Sequence, residues 1–352
     1  MIAGKTILLT GAGGSIGSQV ARTIFEAGPQ RLVLLDISEQ NLHQICTTLT
    51  MWTGETPIVG VLADICDAAA LEDVFDQHRV EVIYHAAAFK QVPLLELNPL
   101  AAIRNNAIGT YVLAKAAARY GVAQLLSIST DKAADPRSVL GASKRIAELI
   151  LVGLNNERTR MNSIRFGNVL GTVGSVVPRF VEQIAQGGPV TVTHPEARRY
   201  FLTVDEAVEF VMTVASCAEG GSIFVPDMGK AIRIVELAEY LIREAGFKPQ
   251  EGIAIAFTGL RPGDKMGEKL VASAERRKGK MCGHLYRVTT PKLSAQEVDE
   301  FATDLLKNLE RRDAPALMEN ICRIVPEYRP SEELLKSLNI YGTACHVAGN
   351  HS

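Results

Sequence analysis

Ser129-Thr130-Asp131-Lys132 sets a hydroxyl, a carboxyl and an amine on successive residues at the end of an apolar run. Side chains of these types can give and take protons, and a strand end is where an α/β sheet presents them to a ligand. The plain alternative is a polar strand-to-loop exit carrying a surface ion pair. Soon after, Leu140-Gly141-Ala142-Ser143-Lys144 opens a helix and brings in a second amine. Near the N-terminus, Gly11-Ala12-Gly13-Gly14-Ser15-Ile16-Gly17 joins a short apolar run to a helix-length stretch. Glycines placed this way make a tight turn, let backbone N–H groups approach a pyrophosphate at the helix N-terminus, and let helix and strand pack closely. About 20 residues on, at the end of the next run, stands an acid, Asp36, which is the spacing of a dinucleotide site. Asp36 is placed to accept hydrogen bonds from an adenosine ribose diol and to repel a 2′-phosphate, and residues 37–41 offer no Arg or Lys to hold one. NAD is therefore expected over NADP. Asp64, ending the third run, reads either as a contact to the adenine edge or as the N-cap of the following helix.

Such residues need a scaffold that gathers strand ends. Residues 6–10, 31–36, 58–64, 80–87, 124–130 and 162–167 are continuous apolar or β-branched runs, as in strands covered on both faces. Helix-length stretches lie between them at 15–27, 39–51, 68–77, 100–120 and 140–155. The alternation predicts an α/β fold with a Rossmann-type doubly wound parallel sheet and right-handed crossovers, occupying about the first half of the chain. After Gly171 the rhythm gives way to Gly/Pro-rich loops. The expected organisation is a NAD-binding domain over 1–170, a smaller substrate-binding lobe interleaved with the sheet domain over 171–290, and a helical C-terminal extension with a polar tail over 291–352.

Composition narrows the function. A chain of 352 residues can bury a large core without disulfides or a structural metal. Its 37 basic and 39 acidic side chains leave a net charge of -2, which removes the electrostatic case for a dedicated nucleic-acid binder. Cys46, Cys66, Cys217, Cys282, Cys322 and Cys345 are scattered without a Cys-x-x-Cys pair, a pattern that suits a reducing cytoplasm. No segment approaches the roughly 18 uninterrupted apolar residues of a membrane span, so direct membrane insertion is not expected. The terminal group of Cys345, His346 and His351 has too few ligands and poor spacing for a metal site, and no metal is expected.

Longer motifs carry a resemblance. They are the glycine turn, HAAAFKQVP at 85–93, NNAIGT at 105–110, STDKA at 129–133, GASKR at 141–145, RFGNVLG at 165–171, RRYFLTVDEA at 198–207 and GLRPGDK at 259–265. With them the chain resembles the extended short-chain dehydrogenase/reductases, and specifically the CapD-like nucleotide-sugar 4,6-dehydratases of polysaccharide biosynthesis that act on UDP-N-acetylglucosamine. In the wider superfamily a tyrosine lies four residues before the helix lysine and acts as base in alcohol oxidation; here that position is Leu140. An apolar residue there is a feature of the larger, usually membrane-attached dehydratases, which favours retention at C5 over inversion.

The resemblance implies a reaction. Oxidation of the sugar's C4 hydroxyl makes the C5 proton acidic. Lys132 is the expected base for C5, with its amine made neutral by the nicotinamide charge and by Lys144. Asp131, kept protonated, is the expected donor to the departing C6 hydroxyl, and hydride then returns to C6. Thr130 is expected on the C4 oxygen and Lys144 on the nicotinamide ribose. The resemblance places Ile65, Ala86 and Ala87 beside the cofactor with Asp64. It gives Asn168 and Lys90 to the sugar nucleotide, and Arg199 and Arg261 to its diphosphate, where forked guanidinium groups suit phosphate oxygens. Asn106 is expected to hold backbone, water or substrate, and the protein is expected to be a homo-oligomer. The rival readings are a nucleotide-sugar 4-epimerase or dehydrogenase, and a catalytically silent NAD-binding regulator.

Overall fold

The computed structural model describes residues 2–340 apart from 53, 218, 282 and 283. Its apolar runs form β1 (Thr6–Thr10), β2 (Arg31–Asp36), β3 (Ile58–Leu62), β4 (Val82–His85), β5 (Gln124–Thr130) and β6 (Arg160–Phe166). They lie in the order β3-β2-β1-β4-β5-β6, every pair parallel. The order reverses between β1 and β4, and in such sheets a ligand crevice opens beyond the strand ends at that point. Alternation along β1 divides the core. Ile7 and Leu9 pack with Val20, Ile24, Leu42 and Leu49 on one face, while Leu8 packs with Leu71, Phe75, Leu113 and Ile146 on the other.

The sheet reaches well past the first half of the chain. Beyond β6 it adds Ser222–Pro226 in parallel, then Leu285–Thr289 and Arg276–Met281 as an antiparallel pair, giving nine strands. The outermost, Arg-Arg-Lys-Gly-Lys-Met, is too charged to read as a strand, yet charge is what protects an exposed edge from pairing with other chains. Between these strands a separate small core forms around Phe180, Ile184, Val190, Val192, Ile234 and Ile242.

The C-terminal helices Ala295–Glu310 and Ala314–Ile324 bury Val298, Phe301, Leu305, Leu317 and Ile321 in the same core as Leu8. Ser294 and Glu297 close the first with a capping box. Residues 341–352, with the polar tail and Cys345, His346 and His351, lie outside the described residues. Among the described residues no helix is long and apolar enough to cross a membrane.

Candidate active site

The strand ends open on a crevice of about 1080 Å³, lined by Gly11, Gly13, Gly14, Ser15, Ile16 and Gly17 on one side and by Thr130, Lys132, Lys144 and Asn168 on the other. Ala86 and Lys90 line it as well. The glycine turn is required by sterics. Gly11 has φ +67, and a Cβ on Gly17 would lie 2.0 Å from the Gly11 carbonyl oxygen, so helix Ser15–Glu26 could not sit this close to β1 with any side chain there.

Asp36 binds both ends of the adjoining loops: its Oδ2 accepts the Gly13 N–H and its Oδ1 the Ser38 N–H, each at 2.9 Å. It is buried behind the turn and does not line the crevice itself. Asp64 likewise stands off the lining, accepting the Cys66 N–H and pairing with Arg104, each at 2.8 Å. Burial pushes its carboxyl up, but these two partners outweigh burial and hold it below the usual carboxylate range. The N-cap reading of Asp64 is corrected: Asp67 caps helix Ala68–His78, accepting from the Ala69 and Ala70 N–H groups. Ile65 and Ala87 are core residues just beneath, neither reaching the lining.

The Thr130-Asp131-Lys132 side chains converge. Asp131 is fully buried, and its Oδ1 accepts the Thr130 hydroxyl and the Lys132 amine, both at 3.0 Å; its Oδ2 has no hydrogen-bond partner among the described residues. Lys132 also donates to Asn168 Oδ1 at 3.2 Å. Burial disfavours the charge of its amine, but the carboxylates of Asp131 and Glu268 outweigh burial and raise Lys132 above the ordinary lysine value.

Lys144 behaves in the opposite way. Its amine is buried with no ion pair among the described residues, and burial brings it down to about 8, with Glu148 pulling against the shift. Beneath it, His85 sits between the Thr10 and Thr110 hydroxyls at 2.7 and 2.9 Å, and burial next to Lys144 brings its imidazole down to about 3, so it is neutral. Leu140 lines the crevice and offers no proton acceptor.

Asn106 proves to be a backbone clamp: it bonds both the N–H and the carbonyl of Phe89 and donates to the Ser143 hydroxyl. It lies in a π-helical turn, Ile103–Ile108, that interrupts the helix expected at 100–120. Arg199 and Arg261 do not line the crevice. Arg199 lies close behind it, 4.0 Å from Glu268, whereas Arg261 pairs with Asp264 at 2.9 Å on the surface. Arg22, which residues 37–41 could not announce, also lines the crevice from helix Ser15–Glu26.

Under this cluster runs a buried ionic network that the motifs hide in plain view. Arg165 binds Glu148 through Nε and Nη2 at 2.7 and 2.5 Å and Glu275 through Nη1 and Nη2 at 2.7 and 3.0 Å. Glu148 also accepts the Ser129 hydroxyl at 2.6 Å, and Arg145 joins Glu275 to Glu327. The network therefore fixes the end of β5 to the helix Val139–Leu154 that carries Lys144.

The family of polysaccharide biosynthesis proteins matches over residues 7–290. The chain belongs to that family. It is 44% identical over 310 residues to the capsular polysaccharide biosynthesis protein CapD of Staphylococcus aureus, covering 87% of this chain and 52% of that protein. The chain thus spans about half the length of this relative. It is 30% identical over 286 residues to the inverting UDP-N-acetylglucosamine 4,6-dehydratase of Campylobacter jejuni, covering 78% of this chain and 79% of the other. UDP-glucose 4-epimerases are also among its relatives. Among solved structures, the dTDP-glucose 4,6-dehydratase DesIV of Streptomyces venezuelae, a double mutant with NAD bound, superposes with a TM-score of 0.66 at 21% identity, over 76% of this chain and 88% of that one. The fold is that of the Rossmann-type short-chain dehydrogenase/reductases.

Proposed function

We propose that this chain carries a NAD-dependent nucleotide-sugar 4,6-dehydratase, converting UDP-N-acetylglucosamine to a 4-keto-6-deoxy sugar with retention at C5 for surface glycan assembly. The observation that carries this reading is the Asp131 carboxylate, fully buried behind the crevice wall and held 3.0 Å from the Lys132 amine that lines it. Only elimination across C5–C6 needs an acid and a base together; exchange at C4 needs one group alone.

The glycine turn, with its bare backbone at the N-terminus of helix Ser15–Glu26, fits a dinucleotide pyrophosphate, and Asp36 disfavours a 2′-phosphate, so NAD is the cofactor proposed. When bound, NAD supplies the hydride acceptor for C4 and the donor for C6. The protein's own groups move the protons. Lys144, with a value of about 8 and no competing ion pair among the described residues, takes up the C4 hydroxyl proton, by way of water or a ribose hydroxyl, in the place where Leu140 cannot. Thr130 holds the C4 oxygen. Asp131 and Lys132 share one proton: on the amine the pair is charged and resting, and on the carboxyl it is ready to act as acid and base at once. Arg199, close to Lys132, is the guanidinium proposed for the substrate diphosphate.

An Asp131→Asn protein separates dehydration from epimerisation. The amide keeps the shape but cannot give a proton to the departing hydroxyl, so water loss should fall by about 10²–10⁴-fold. An epimerase would turn over as before, its product the C4 epimer, and that result would refute the assignment.

A further inference from the structure

We propose that Glu268 is a positioning residue of this site, a buried carboxylate that anchors the Lys132 amine and keeps it strongly basic, and that it divides its charge between Lys132, Arg199 and Lys265. The inference rests on the reading of Lys132 as the base. Glu268 follows the GLRPGDK segment by three residues and is 8% exposed. Its Oε1 lies 3.9 Å from Lys132 Nζ and 4.0 Å from Arg199 Nε, and its Oε2 lies 3.1 Å from Lys265 Nζ. Lys265 is fixed from a second direction, donating to the Ala134 carbonyl at 2.8 Å, just beyond the turn that holds Asp131 and Lys132.

The charges facing Lys132 are Asp131, Glu268 and Arg199, and the neutral Asn168 completes its shell. Asp131 is neutral while it holds the proton for the leaving group and regains its charge only on giving it up, whereas Glu268 keeps its charge throughout. After elimination Lys132 carries the C5 proton as an ammonium, and Glu268 stabilises that charge without taking part in the transfer. It lies too far from Lys132 to remove the proton and close enough to set its affinity. Lys265 weakens the effect by drawing on the same carboxylate.

Two variants with opposite expected signs test this. With lysine Cε and Nζ isotopically labelled, NMR follows the titration of Lys132, its signal assigned by loss in a Lys132→Met protein. Glu268→Gln should lower the Lys132 midpoint by about 1 pH unit or more. Lys265→Met should raise it, since Glu268 then acts on fewer cations. A folded Glu268→Gln protein with an unmoved midpoint overturns the proposal, and so does a Lys265→Met midpoint that moves down. The alkaline limb of the kcat–pH profile supplies the second readout, because above the Lys132 midpoint the proton it shares with Asp131 is lost. If the midpoint moves and the alkaline limb follows, both the anchor and the base stand. If the midpoint moves and the limb does not, Glu268 holds Lys132 as stated but Lys132 is not the base.

Discussion

A Lys132→Met protein should bind NAD, oxidise the sugar at C4, and then stop. Elimination should slow by about 10²–10⁴-fold, the usual contribution of a positioned base, while reduction of the nicotinamide remains visible on mixing with substrate. Methionine keeps the length of the side chain and removes its charge. The expected pH dependence has a definite sign. Lys144, brought down to about 8 by burial, takes up the C4 proton only as the free amine, so wild-type turnover should climb as pH rises through about 8, and it should fall again only where the proton shared by Asp131 and Lys132 is lost. Undiminished dehydration by the variant would remove Lys132 from the role of base.

Replacing Glu148 with Gln should destabilise the protein by about 3–5 kcal/mol, because the substitution leaves the Arg165 guanidinium buried beside half of its former charge. Arg165 is fully buried, and burial alone would lower its value; the carboxylates of Glu148 and Glu275 reverse this and raise it. The urea unfolding midpoint measures the loss. The exposed pair of Arg243 and Glu239, 3.0 Å apart on one helix, is the contrast: Glu239→Gln should leave the midpoint where it is. Equal midpoints for the two variants would show that the buried network contributes no more than a surface pair. Since Glu148 also accepts the Ser129 hydroxyl, one residue before Thr130, loss of order at the site should accompany the loss of stability.

Local signals were legible and long-range ones were not. The strands Thr6–Thr10, Arg31–Asp36 and Gln124–Thr130 follow directly from their apolar runs, because a strand covered on both faces has no polar alternation to confuse it. The glycine turn and Asp36 could be read because their spacing is set along the chain, and Thr130, Lys132 and Lys144 because strand ends and helix starts face the crevice. Glu268 and Glu275 gave no signal. Each is one glutamate among many, and it becomes part of the site only when a segment far along the sequence folds back against β5 and β6. Asp131 could be seen beside Lys132, but Glu268, the second carboxylate that raises the amine, lies 136 positions away. Arg165 and Arg145 stood inside quoted motifs, yet nothing local distinguishes a motif arginine that binds ligand from one that binds buried glutamates. The π-helical turn at Asn106 was invisible because a helix with one wide turn has nearly the periodicity of a helix without one.

The most direct measurement is to incubate the protein, with bound NAD verified, with UDP-N-acetylglucosamine in deuterated water and follow the sugar by NMR and mass spectrometry. Asp131 and Lys132 acting together predict loss of one water, a new C6 methyl signal and a solvent deuteron at C5. A sugar that is epimerised at C4 but keeps its C6 hydroxyl, with no deuterium at C5, would contradict the account.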